Sequence, residues 1–281
     1  MLIEAESLVV KYLKILRNVL ELPDIAKTIL ENKTYRIITF VREEKFFKLF
    51  SENAVIQLLK KHLPLQREFE KFNIHPDNDE IKNWYHLLLK DVGWEKFSVS
   101  DDFEENKSLL YFVIEDFIFK NEDVFSSYEK DDLHWSENSK ILKNSLLKAI
   151  KELTNTYEDT SILVPLSDNW DDDKVFFEVL YKNTLEEEPH YEGLIQEKSE
   201  KWKIERMAKI DKLLINMAIT EMVNFPSIPI KVTINEYIDI SKKYSTPKSW
   251  QFLNGMLDSI AKQLVEEGKI KKSGRGLLDN K

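Results

Sequence analysis

Three consecutive carboxylates, Asp171, Asp172 and Asp173, are the densest set of potential metal ligands in the chain. A calcium loop spaces its acids around a turn glycine. Here they run straight into KVFFEVLYKN, so they read as the first turn of a helix, where negative charge meets the positive dipole end. The five histidines, His62, His75, His86, His134 and His190, lie far apart and form no helical ligand pair, so each reads as an ordinary surface or partly buried histidine. The absence of cysteine excludes disulfides, thiolate zinc sites and cysteine nucleophiles. Six glycines in 281 residues, against a usual share of about 7%, leave little material for phosphate-cradling loops, and neither GxGxxG nor GxxxxGK[ST] occurs. Glu221 falls in the middle of an apolar helix side, where a carboxylate is costly unless it is bonded. No histidine, serine or second carboxylate is tied to it locally, so it is expected to brace the fold by accepting from the following turn's backbone or from a lysine such as Lys231. No catalytic residue, metal or cofactor is expected.

The remaining chemistry is that of a cationic strip. In KSWQFLNGMLD, residues 248 to 258, helical spacing puts Phe252, Leu253, Met256 and Leu257 on an apolar side that Ile260 and Leu264 continue. Lys248, Gln251, Gly255, Ser259 and Lys262 fall together on the opposite side. Thr246 and Pro247 are expected to start this helix, with the threonine as cap and the proline in the first turn. A glycine inside a helix costs about 1 kcal/mol against alanine. Two readings of Gly255 stay open: close approach by a phosphate-sugar backbone or another protein, and a tight helix crossing inside the fold. Charge favours an anionic partner, because residues 201–281 hold 15 Lys and Arg against 9 Asp and Glu, net +6, whereas the preceding 200 hold 26 against 41, net −15.

The elements that must position these residues are helices. Apolar residues recur three and four apart in almost every long segment, so the expected class is all-α. Helices are expected over 5–20, ending before Pro23, and over 53–62, 78–91, 101–119 and 137–154. In the last third they are expected over 206–225, then from about 231 through VTINEYIDISKKY, and over the strip. TYRIITFV, residues 34–41, has the composition of a short strand. The polar stretch 155–175, with Pro165, reads as a connection, dividing the chain into a helical amino-terminal region, 1–165, and a second helical region, 166–281. The start of the chain lacks the unbroken apolar core of a secretory signal and no segment has the length of a membrane span, so a cytoplasmic protein without membrane contact is expected.

The run IDKLLINMAITEMVNFPSIPIKVTINEYIDISKKYSTPKSWQFLNGMLDSI resembles the carboxy-terminal half of the NusB family of bacterial transcription antitermination factors. The resemblance rests on Asp211, Ala218 and Glu221 on one helix, Pro229 and Lys231 before INE, then Lys248-Ser249, Phe252, Asn254-Gly255 and Leu257-Asp258, and it extends over about residues 173 to 265. It implies a NusB-like helical bundle without catalysis. It further implies binding of boxA-type single-stranded RNA together with NusE, a small-subunit ribosomal protein, within the transcription elongation complex, in support of rRNA transcription. Ser245, Lys248, Ser249, Gln251 and Phe252 match family positions at the RNA surface, where an aromatic can stack and a lysine can meet phosphate. Gly255 and Lys262 join them from the strip. Asp211 matches a position facing the protein partner, while Thr246, Glu221 and Asn254 are expected to serve the structure. The family usually opens with an arginine-rich segment that supplies much of the RNA contact, whereas this sequence opens MLIEAESLVVKYL. The expectation is either that the basic start is missing from this chain or that this is a divergent member of weak RNA affinity. Residues 1–165 resemble, more loosely, the extended amino-terminal region of longer members. An alternative expectation is a helical adaptor of the same fold that contacts only proteins.

Overall fold

The computed structural model describes residues 2–32, 37–157, 159–163, 167, 169–198 and 207–280. It divides into two compact units, Met1–Asp168 and Asn169–Lys281. Among the described residues there is no strand, no helix long and apolar enough to cross a membrane, and no group of three or more side chains able to hold a metal. The expected break at Pro165 and the expected helix start at Arg206 fall outside the described residues.

The first unit contains eight α-helices among its described residues: α1 (Leu2–Glu31), α2 (Ile37–Ser51), α3 (Ala54–Lys61), α4 (Leu63–Lys71), α5 (Asn78–Lys90), α6 (Phe103–Tyr111), α7 (Glu122–Asp131) and α8 (Trp135–Glu152). Two expectations are corrected here. Pro23 does not end α1, because Leu22 and Ala26 beside it are fully buried and packing against α5 and α2 carries the helix past the missing backbone donor. Of the stretch expected as a strand, residues 34–36 lie outside the described residues and 37–41 supply the start of α2, since the sequence on its carboxy-terminal side continues with helical spacing into Phe46, Leu49 and Phe50, all buried. α6 passes into a π-helical segment, Phe112–Ile118, whose apolar side chains are buried. Phe46 meets Tyr85 and Trp94 edge to face at 5.4 Å, and Trp135 is stacked between Phe119 and Tyr128.

The second unit is built on α9 (Trp170–Lys198), α10 (Lys209–Asn224), α11 (Ile230–Tyr244) and α12 (Ser249–Glu266). Asp171, Asp172 and Asp173 occupy the first turn of α9, as their place before an amphipathic run suggests. α10 is the central helix and packs on each of the other three. Leu214, Ile215, Ala218, Ile219 and Met222 of α10 meet Leu253, Met256, Leu257, Ile260 and Leu264 of α12 in one buried core. The inward side of α12 is therefore the one its spacing specified, and its outward side carries Lys248, Gln251, Gly255 and Lys262, all exposed.

Candidate functional site

The junction of α11 and α12 is held by one carboxylate. Asp211, in the first turn of α10, accepts hydrogen bonds from Ser245 Oγ at 2.5 Å and from Ser249 Oγ at 2.7 Å. Ser249 Oγ is also 2.7 Å from Thr246 Oγ1. Asp211 and Ser249 are each only 5% exposed, and Ser245 is half-buried. These distances correct three expectations. The carboxylate of Asp211 does not face outward toward a partner, because both its oxygens are engaged inside the unit. Ser249 is a buried link, not a surface contact. Thr246 does not cap α12 through a backbone N–H: the helix begins at Ser249 after Lys248, without a side-chain cap, and the Thr246 hydroxyl bonds Ser249 instead. The threonine serves the structure by another route.

Around Gly255 the surface is open. Nothing among the described residues lies within 4 Å of the place a Cβ would take, so the reading of a tight internal helix crossing is overturned. Asn254 is exposed beside it and no hydrogen bond of its side chain among the described residues supports a structural role. Phe252 is half-buried at the rim of the core. Lys262 is paired with Asp258 at 2.6 Å, an exposed i,i+4 contact that leaves it available to a competing anion. Because the site at 255 is vacant, Gly255→Ala is expected to raise stability by about 0.5–1 kcal/mol, the usual helix preference for alanine. A thermal melt showing a loss instead would reveal a neighbour that this geometry lacks.

Comparison with known proteins meets this same region. Residues 138–262 match the NusB family model. This stretch, somewhat under half of the chain, is similar to the NusB family. The chain is 41% identical over 103 residues to "Transcription antitermination protein NusB" of Salinibacter ruber, covering 37% of this chain and 64% of that protein. The protein of the same name from Chloroherpeton thalassium is 47% identical over 85 residues, 30% of this chain and 40% of the relative. That from Thermodesulfovibrio yellowstonii is 43% identical over 98 residues, 35% and 65%. The chain thus spans less than two thirds of the length of each of these curated relatives. No solved structure matches it. The NusB match begins inside α8 and ends inside α12.

Two further features of the carboxy-terminal unit were incompletely legible. Trp250, half-buried at the start of α12, has the ammonium of Lys242 over its ring at 5.8 Å, while Lys242 also pairs with Asp239. Trp250 sits between the polar and apolar sides of the helix, where spacing assigns it to neither. The Glu221 carboxylate is engaged by hydroxyls: Tyr237 Oη donates to Oε2 at 3.2 Å and the Thr233 hydroxyl also bonds it. Burial, to 7% exposure, raises its pKa above the ordinary 4.5, against the opposing pull of both hydroxyls and of the Lys272 charge. A carboxyl held higher in the folded state than in the unfolded chain carries its full cost above the folded pKa. It gains stability as pH falls through that value toward 4.5. Glu221→Gln, which keeps an acceptor for Tyr237, is therefore expected to be more stable than the parent at neutral pH and to lose this local gain on mild acidification. Paired melts across that interval check both the sign and the window.

Proposed function

We propose that this chain is a transcription antitermination factor that binds boxA-type single-stranded RNA together with NusE and so supports rRNA transcription. The observation that carries the reading is the 41–47% identity to relatives named transcription antitermination proteins, together with a family match over residues 138–262 that takes in the open Gly255 strip of α12. Lys248 meets phosphate, Gln251 and the exposed edge of Phe252 meet bases, and Gly255 lets the backbone of the ligand come close. Ser245 and Ser249 act indirectly, by fixing the turn from which these side chains project. Asp211 acts with them, and the NusE surface is left to other residues.

The test is a gel shift with boxA-like and scrambled RNA, with and without NusE. Preference for boxA-like RNA, strengthened by NusE, is expected, and equal affinity for both RNAs at low salt would defeat the reading. Affinity is expected to fall with salt at a slope of about 0.7 per phosphate contact, so Lys248→Ala should shallow the slope by about 0.7. An adaptor that contacts only proteins is the second reading. It is favoured by the inward use of the Ser245 and Ser249 hydroxyls, and NusE capture without RNA binding would select it.

A further inference from the structure

The carboxy-terminal segment beyond α12 is basic, and it is tied down. Residues 269–281 hold five Lys and Arg against one Asp. Gly268 ends α12 in the left-handed conformation, φ 69°, with Lys269 N–H donating back to Leu264 O at 2.8 Å. Ile270 is buried, Lys272 Nζ donates to Phe225 O at 3.0 Å, and Ser273 N–H donates to Pro226 O at 3.0 Å. Gly276 lies against the Pro226 carbonyl so closely that a Cβ there would collide with its oxygen. Ordering a chain segment costs about 1–2 kcal/mol per residue in backbone entropy, and these contacts offset that cost along a stretch that then displays Lys271 and Arg275 to solvent.

The cations of this unit differ in what they already hold. Lys262, Lys242 and Lys269 are paired with Asp258, Asp239 and Glu267. Lys272 is turned inward to Phe225. Lys248, Lys271 and Arg275 are exposed and have no ion pair among the described residues. An exposed cation without an ion pair meets a phosphate without first breaking a contact, and each phosphate so neutralised frees the nucleic acid's condensed counterions. Lys248 stands at the amino-terminal end of α12 and the tail leaves its carboxy-terminal end, about 27 Å further along at 1.5 Å per residue. Between them lies the outward side of the helix with the open Gly255 and the loosely paired Lys262.

We propose that Lys271 and Arg275 form a second phosphate-binding segment, so that a single-stranded RNA seated at the start of α12 runs along its outward face onto the docked tail. This rests on the RNA-binding reading above and adds to it a direction of the strand and a length dependence. The tail contributes affinity without base preference, while discrimination stays at the start of α12.

The test uses the full chain and its Lys271→Ala/Arg275→Ala variant, titrated with a short boxA-like RNA and with the same RNA extended by an unstructured tract at either end. For the RNA extended at the productive end, the variant's salt slope is expected to be shallower by about 1.4, two contacts at about 0.7 each. The parent then loses about sevenfold more affinity than the variant between 50 and 200 mM salt. With the short RNA the two proteins should agree, as should their preference for boxA over scrambled sequence. Equal slopes on every extended RNA would overturn the proposal while leaving the RNA-binding reading intact. A variant that loses NusE capture with unchanged RNA slopes would overturn it as well, making the tail a protein contact. A parent that binds none of the RNAs would remove both readings together. Lys271→Glu/Arg275→Glu serves as the second variant, with a larger effect expected in the same direction, and a melt matching the parent excludes loss of the fold.

Discussion

Asp211→Ala is expected to destabilise the carboxy-terminal unit by about 2–3 kcal/mol, because it deletes a buried, charged acceptor that two hydroxyls share. Alanine leaves Ser249, itself only 5% exposed, with only the neighbouring Thr246 and Ser245 hydroxyls as partners. It also removes a negative charge from the first turn of α10. Asp211→Asn keeps one acceptor oxygen and should recover part of the loss. Urea unfolding of the three proteins gives the ordering parent, Asn, Ala, and an alanine variant as stable as the parent would show that water replaces the carboxylate without cost. The functional consequence is indirect and larger than the change in stability alone suggests. The clamp joins α10 to the turn that launches Lys248 and Gln251, so RNA affinity should fall even where the variant is fully folded. For the same reason a charge reversal at this position reports on the integrity of the junction before it reports on any protein partner.

The clamp also marks the limit of what the sequence made legible. Asp211 lies 34 residues from Ser245 and 38 from Ser249, and no local pattern links a first-turn acid to hydroxyls at that distance. By contrast the inward side of α12 followed from spacing alone, since a 3.6-residue period leaves one place for Leu253, Leu257 and Leu264. The helices misread in the first unit failed for local reasons that packing overrides. Ile37 to Val41 combine Ile, Thr, Phe and Val, residues that favour strands in isolation, yet they begin a helix. Pro23 carries a helix-breaking signal between Leu22 and Ala26, whose complete burial outweighs it. Thr246-Pro247 has the residues of a helix start, but the threonine hydroxyl is drawn to Ser249 in the clamp. At Gly255 the sequence posed the alternatives, and the empty space around it among the described residues speaks against the tight crossing.

Leu257→Ala is expected to cost about 2–5 kcal/mol, the range for deleting a fully buried leucine side chain with partial collapse of the cavity. Leu257 is 0% exposed and belongs to the core that α10 and α12 share. Against a total of about 5–15 kcal/mol for a domain, this is a large fraction. Leu257→Met, which conserves volume, should stay within about 1.5 kcal/mol of the parent. The value of the experiment lies in its pairing with Gly255→Ala, two positions away on the opposite side of the same helix. At a temperature where Leu257→Ala is still folded, its RNA affinity should match the parent, because the lost atoms face the core. Gly255→Ala should melt no lower than the parent yet, on the proposed RNA-binding reading, bind RNA less well, because its added methyl group enters the open space of the strip. Stability and affinity are thus expected to separate across the thickness of one helix. If both variants lose affinity in proportion to their loss of stability, the outward side of α12 has no role of its own in recognition.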